Sequence, residues 1–532
     1  MAEEENKRKN EQPREPTVGP GEERKGAREF LHKRFGFGFE TITGVGEVVH
    51  EHDDRASVLW LLSSVFWFVV ATTFGIIIAT ELIAPETFAG IPWLLFSRVR
   101  PSHVNAVIFA WLTMMYFGGI FYYLPRLLGT SSLWSESLGI WTAWVYNVTL
   151  ALGFIGLLAG YTQGREYAEF IWPIDILILA VFFSNIVNII GTVAVRRVRA
   201  LYVSVWWAMA APAWVALSIA IENVIWRPGN IFMSPAPWNP SGALPSAIND
   251  VLLNWWGNHN LFGLWLTPIL VGLVYYLVPR ITNTPLYSHT LSLISFWGII
   301  FVYAGVGDHH LLQTPTPGWL KTIASVNSFA ILIPVFAFFT NIYLTMRGNW
   351  DRFYTSLPLR FTITGFVFYI LVNVQGAIQS YQPFNVFAHF TNFIVAHAHL
   401  ALLGGFTILG MGVIYYILPN ALGKPPYSRS LAEWQYWLVT VGFLFFFLSL
   451  TIGAFVQGQG WMMSQPEVNV LPQIRIWYQM RALAGGMIYA SAWIQLYNVI
   501  QTYRVRTSNT MTARTRRDSH SSLGQAEGEV TA

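Results

Sequence analysis

The chain has 532 residues, of which 54% are hydrophobic and only 11% charged, with a net charge of +4 and no cysteine. Of the charged residues, 23 fall in residues 1–56 and eight in 504–532, leaving 29 across the 447 positions between. A water-soluble domain carries about 25% charge, so the middle of the chain is excluded as one and predicts a polytopic, all-α membrane protein; the missing cysteines exclude a disulfide framework, thiolate zinc, iron–sulfur clusters, a dinuclear thiolate copper site and a covalently attached c-type haem.

Residues 1–56 are a polar extension of mixed charge, with no apolar core of a signal peptide. Twelve apolar segments follow, at about 57–82, 103–129, 132–162, 169–195, 202–224, 250–278, 289–314, 318–346, 359–380, 389–418, 431–457 and 476–503. Each exceeds the roughly 20 residues that cross a membrane. Backbone groups in lipid must pair within their own segment, so each is predicted to be a helix, and 57–504 to be one twelve-helix domain. Residues 505–532 read as a disordered, solvated tail. No internal repeat is apparent. Basic residues recur in alternate loops, at Arg126, Arg196, Arg197, Arg199, Arg280, Arg347, Arg352, Arg360, Lys424 and Arg429, and again after Arg504. That alternation places both termini in the cytoplasm and makes lipid, not nucleic acid, the partner of the basic excess.

Eight histidines lie in the membrane domain: His103, His259, His289, His309, His310, His389, His397 and His399. Any one of them reads first as a hydrogen-bonded core residue. The set does not, because in the orientation above His103, His259, His309, His310, His397 and His399 share one layer toward the outer half of the membrane. The HAH pair His397 and His399 is two residues apart, about 200° around a helix, so its imidazoles point to opposite sides. They suit two different haem irons flanking one helix. His309 and His310 can approach one ion together, and His259 completes a three-nitrogen site for copper or iron with an open position. His103 is then free to be the second axial ligand opposite His399. This accounting yields a six-coordinate haem, a five-coordinate haem on His397 and a three-histidine metal.

The constellation resembles subunit I of the haem–copper oxygen reductases. The strings RPSHVNAVIFAW, WWGNHN, FWGIIFVYAGVGDHHL, FIVAHAHLALLG, REYAEFIWPID and YQMRALAGG are closest to the C-family, or cbb3-type, cytochrome c oxidases, over about residues 57–504. The resemblance implies low-spin haem b on His103 and His399, high-spin haem b3 on His397, and one copper on His259, His309 and His310. It makes Tyr303 the active-site tyrosine, covalently bonded to His259 in the family pattern and supplying an electron and a proton to dioxygen. It makes Glu166 a calcium ligand, and Arg481 and His389 partners of haem propionates.

Protons for oxygen reduction need a polar route through lipid. Tyr275, Tyr287, Ser292, Tyr369 and Asn373 are its expected members, with Tyr275, Ser292 and Tyr303 spaced like the single channel of the C-family. The family's ninth-segment Glu is Gln375 here, which cannot carry a proton as an acid does. Electrons must enter through partner subunits, because this chain has neither a thiolate copper site nor a CxxCH motif. The family implies membrane-anchored mono-haem and di-haem cytochrome c subunits in a bacterial inner membrane. The nitric oxide reductases share the fold and the six histidines. They carry a Glu four residues after the first metal histidine, where this chain has Gly263, and lack the tyrosine at 303. A transporter with structural histidines would hold no haem.

Overall fold

The computed structural model describes residues 52–163, 165–224 and 247–504. Most of the two polar ends lies outside them. Among the described residues there is no β-strand. Twelve principal helices run in chain order: α1 Arg55–Ile83, α2 Phe96–Leu128, α3 Glu136–Ala159, α4 Trp172–Ala194, α5 Val203–Glu222, α6 Asp250–Thr282, α7 His289–Tyr303, α8 Gly318–Met346, α9 Leu357–Gln379, α10 Asn392–Leu422, α11 Arg429–Met462 and α12 Glu467–Arg504. Ten of these are long and apolar enough to cross a membrane; α7 is short and α12 is too polar along its length. The twelve match the twelve expected segments.

Some boundaries move. α2 begins seven residues before His103, so that histidine sits inside the helix and not at its start. α7 ends at Tyr303, and His309 and His310 lie on a separate 3-10 turn, Gly307–Leu311. His389 precedes α10, in the loop after a short helix, Gln382–Ala388.

Three helices form the inner layer. In α2, α6 and α10 the apolar stretch is 78–94% buried, against 33–56% in the other long apolar helices. Hydropathy does not set these three apart, because a face turned to lipid is as apolar as one turned to the core.

A threefold repeat, missed in the sequence, closes one end of this inner layer. Each inner helix carries Tyr seven residues and Pro four residues before a left-handed residue: Tyr122, Pro125 and Gly129; Tyr276, Pro279 and Asn283; Tyr416, Pro419 and Gly423. The left-handed turn needs glycine or asparagine, which tolerate positive φ. A serine then caps the next helix. Ser135, Ser288 and Ser428 accept from Leu138, Leu291 and Leu431 N–H, each at 3.2 Å.

The same serines are held by an asparagine two helices on from the inner one. Asn188, Asn341 and Asn498 each accept from the serine N–H at 2.9 Å and donate to its carbonyl. One turn later Thr192, Thr345 and Thr502 accept from the residue before the serine. These clamps satisfy loop backbone groups that would otherwise lie unpaired near lipid.

Midway along, each inner helix contains a π-helical segment: Ala106–Leu112, Phe262–Leu266 and Leu400–Thr407. Indoles stitch the three together. Trp111 donates to Thr407 at 2.9 Å and Trp265 to Thr113 at 3.0 Å. All four side chains are buried, which makes these bonds the way each indole N–H is satisfied away from water.

Candidate metal centre and active site

The half of the inner layer beyond the π segments carries the histidines. On each inner helix a histidine stands just ahead of the π segment: His103, His259 and His399. The 3-10 turn after α7 adds His309 and His310. The structure brings His259, His309 and His310 together, with a nitrogen of each within 4.8 Å of the others. Their ring centroids are 4.5–5.1 Å apart. Trp255 stacks on His310 at 4.2 Å, and Ser328 Oγ lies 2.7 Å from His309 Nδ1. The Nδ1 of His259 is buried without a protein partner among the described residues. Three converging imidazoles with no carboxylate suit copper, zinc or iron, and three ligands leave a position open.

Across α10 the HAH pair behaves as its spacing predicted. His399 faces His103 with ring centroids 6.4 Å apart and planes 17° from parallel. A metal–nitrogen bond of about 2 Å on each side separates two trans imidazole centroids by roughly that distance, so one iron fits between them. Each ring is oriented from behind, His103 Nδ1 by the Ala71 carbonyl and His399 Nδ1 by the Val395 carbonyl, both at 2.8 Å. That arrangement leaves Nε2 of each as the ligating atom. Arg481 stands over the Phe446 ring, which itself packs on His399.

His397 points the other way, into a cavity of about 440 Å³. Its Nδ1 donates to Gln375 Oε1 at 3.0 Å. The same cavity is lined by the three metal-site histidines, Tyr303, Glu166 and His389. A space bounded by one histidine on one wall and three on the other fits a planar group on His397 next to a metal on the triad. His389 lies at its rim beside Phe390, a residue with φ of 62°.

Tyr303 and Gly263 form one constraint. The Tyr303 ring centroid is 4.8 Å from that of His259. A Cβ at position 263 would lie 1.6 Å from Tyr303 Cε1. No side chain fits at 263 while the tyrosine is in place. A glutamate there and a tyrosine at 303 are therefore mutually exclusive.

Of the expected proton-route residues, Tyr275 and Ser292 fall on one polar string. Tyr275 Oη lies 3.1 Å from Ser295 Oγ, Ser295 donates to the Ser292 carbonyl, and Ser292 Oγ donates to the His289 carbonyl. His289 and Ser295 were not among the residues expected, although positions 289, 292 and 295 share a helix face. Tyr369 and Asn373 line the cavity instead. Tyr287 is elsewhere: its N–H is the one held by Thr345 in the clamp, and its ring is exposed.

At the histidine end, Arg100 pairs with Glu166, and Asn105 donates to the buried Glu169 at 2.8 Å. Arg165 pairs with Asp250 across the loop. These pairs tie the loop after α3 to α2 and α6, beside the cavity.

Known proteins can be set beside this geometry. The family model of cytochrome C and quinol oxidase polypeptide I matches residues 55–487. The cbb3-type cytochrome c oxidase subunit CcoN1 of Stutzerimonas stutzeri is 30% identical over 449 residues, covering 83% of this chain and 93% of that protein. A cytochrome c oxidase subunit 1 homolog of Agrobacterium tumefaciens (strain T37) is 30% identical over 460 residues, with 85% and 84% covered. A nitric oxide reductase subunit of Stutzerimonas stutzeri is more distant, at 24% over 473 residues, with 82% and 92% covered. A solved heme–copper terminal oxidase dimer shares the fold with a TM-score of 0.71 at 14% identity, covering 85% of each chain. The chain belongs to the cytochrome c and quinol oxidase polypeptide I family, in its cbb3-type branch, and is a multi-pass membrane oxidoreductase subunit of a family that works with haem and copper.

Proposed function

We propose that this member of the family reduces dioxygen to water with electrons from cytochrome c, in a bacterial inner membrane, with both termini in the cytoplasm. The observation that carries the reading is the Tyr303 ring lying over Gly263 and beside His259 in the three-imidazole cluster. A nitric oxide reductase would need a glutamate in the space the tyrosine fills.

In this reading His103 and His399 hold low-spin haem b, His397 holds high-spin haem b3, and His259, His309 and His310 hold one copper. When bound, the two haem irons and the copper supply electrons and an open position for a small diatomic molecule. The protein's own groups do the rest. Tyr303 supplies an electron and a proton from its phenol and needs both returned. Tyr275 and Ser295 form one hydroxyl–hydroxyl link of the route, and Ser292 and His289 add a hydroxyl and an imidazole toward the clamp end. Tyr369 and Asn373 extend the polar wall of the cavity. In the same reading Arg481 and His389 pair with haem propionates, and Glu166 holds calcium between them.

The basic residues of the clamp end, Arg126, Arg280, Arg347, Arg352, Arg360 and Lys424 among them, support a cytoplasmic position for that end. The chain has no electron-entry group of its own, so membrane-anchored c-type cytochrome subunits are its partners.

Haem and metal quantification of the purified complex tests the reading: two b-type haems and one copper per chain are expected. Three irons and no copper would transfer the chain to the nitric oxide reductases. In Tyr303→Phe both haems are expected to stay bound while oxygen turnover is lost; retained turnover removes the tyrosine from the chemistry.

A further inference from the structure

Four of the six histidines of the site have an Nδ1 partner, and the partners are of two kinds. His103 and His399 meet main-chain carbonyls, of Ala71 and Val395. His309 meets the Ser328 hydroxyl and His397 meets the Gln375 amide. A carbonyl of the backbone cannot be altered by substitution. A side chain can. On the haem-facing histidines, then, the electronic environment is fixed on one side of α10 and adjustable on the other.

Gln375 is well placed for such control. It projects from α9, the helix next to α10, and its Oε1 is a carbonyl oxygen, which can only accept, so the proton on this bond belongs to His397 Nδ1. The following residue, Gly376, brings the α9 backbone against the ring: a Cβ there would lie 3.2 Å from His397 Cε1. The helix thus closes on the imidazole edge and leaves Gln375 as the polar group on its outer nitrogen. An acceptor behind a ligating imidazole raises the ligand's basicity and pushes electron density toward the metal, and a charged acceptor pushes harder than a neutral one.

We propose that Gln375 is a positioning residue that holds the His397 imidazole with a neutral acceptor and thereby sets the reduction potential of the group on His397 above the value a carboxylate would impose. The proposal rests on the reading that His397 ligates haem iron. It concerns the cavity side alone. The pair His103 and His399, behind backbone carbonyls, serves as the internal control.

Two substitutions of similar length move the acceptor in opposite directions. Gln375→Met removes it and Gln375→Glu charges it. Each is made in the full complex, which is titrated by spectroelectrochemistry, and the iron–histidine stretch of the reduced five-coordinate haem is read by resonance Raman. Gln375→Met should raise the midpoint and lower the stretching frequency; Gln375→Glu should do the reverse. The two variants should differ at least tenfold in the reduction equilibrium, about 59 mV for one electron, while the six-coordinate haem stays at its parental midpoint. Shifts in the same direction, or midpoints within threefold of the parent in both, overturn the proposal. His397→Ala separates the premise from the inference: loss of the five-coordinate haem alone upholds the assignment of His397, and retention of both haems defeats that assignment whatever the Gln375 variants do.

Discussion

The two ends of α2, α6 and α10 solve different problems with the same three helices. At the clamp end the chain repeats itself: Tyr, Pro, a left-handed residue, a serine cap and an asparagine partner occur three times with hydrogen bonds equal to within a few tenths of an ångström. At the histidine end the same helices have diverged. α2 places one histidine against α10, α6 places one in the triad, and α10 turns two histidines to opposite sides. Closure of loop backbone against lipid is the same task three times and tolerates one solution. Setting histidines into three different surroundings is not. Symmetry therefore survives where the work is structural and is lost where it is chemical.

That contrast can be broken or sharpened by substitution. The largest effect is expected at the histidine end. His259→Ala should remove the triad metal and all oxygen turnover while both haem spectra persist, because His103, His397 and His399 are untouched; metal analysis after purification reads this directly. Gly263→Ala comes next. The added methyl falls on the Tyr303 ring, so turnover should drop to the level of Tyr303→Phe, with overpacking costing about 1–3 kcal/mol in a thermal melt. Parental activity in this variant would mean that the ring does not need its place over residue 263.

Smaller and equal effects are expected at the clamp end. Asn188→Ala, Asn341→Ala and Asn498→Ala each unpair one buried N–H and one C=O, so each should destabilise by about 1–3 kcal/mol and leave the haem spectra unchanged. Three clearly unequal melting shifts would end the equivalence of the repeats. Smallest is Ser428→Ala, the loss of one helix cap, at about 1 kcal/mol; a larger loss would show that the serine does more than cap.

Much of this was legible in the sequence, for physical reasons. Twelve apolar helices follow from the cost of charge in lipid, and the six histidines stand out because polar groups at that depth need partners; Tyr303 is singled out by the family resemblance. The direction of the HAH pair follows from helix geometry alone. The repeat was not legible. Its copies share Tyr and Pro at one spacing, but the serine follows the proline by ten residues in the first copy and nine in the others, and the asparagine that completes each clamp lies 53, 53 or 70 residues downstream. No local pattern links Asn498 to Ser428. Nor could spacing find what lies behind the histidines: Ala71 and Val395 act through backbone carbonyls, which carry no sequence signal, and Gln375 is visible only as a departure until α9 is packed on α10. Tyr287 illustrates the opposite error, an aromatic near a helix start that belongs to the clamp.

The π segments have one more consequence. A π turn holds more residues than an α turn, so each segment absorbs a slip in phase between the two ends of its helix. His259 and His399 stand 24 residues before the left-handed residue of their helix and His103 stands 26 before its own. In unbroken α-helices, one residue more or less would swing a histidine by about 100° against a fixed clamp. With the π segment between them, the clamp register and the aim of the metal ligand become independent settings. Insertions and deletions in those few turns, rarely tolerated inside a membrane helix, become a means by which a repeated scaffold can re-aim a ligand without disturbing its closed end.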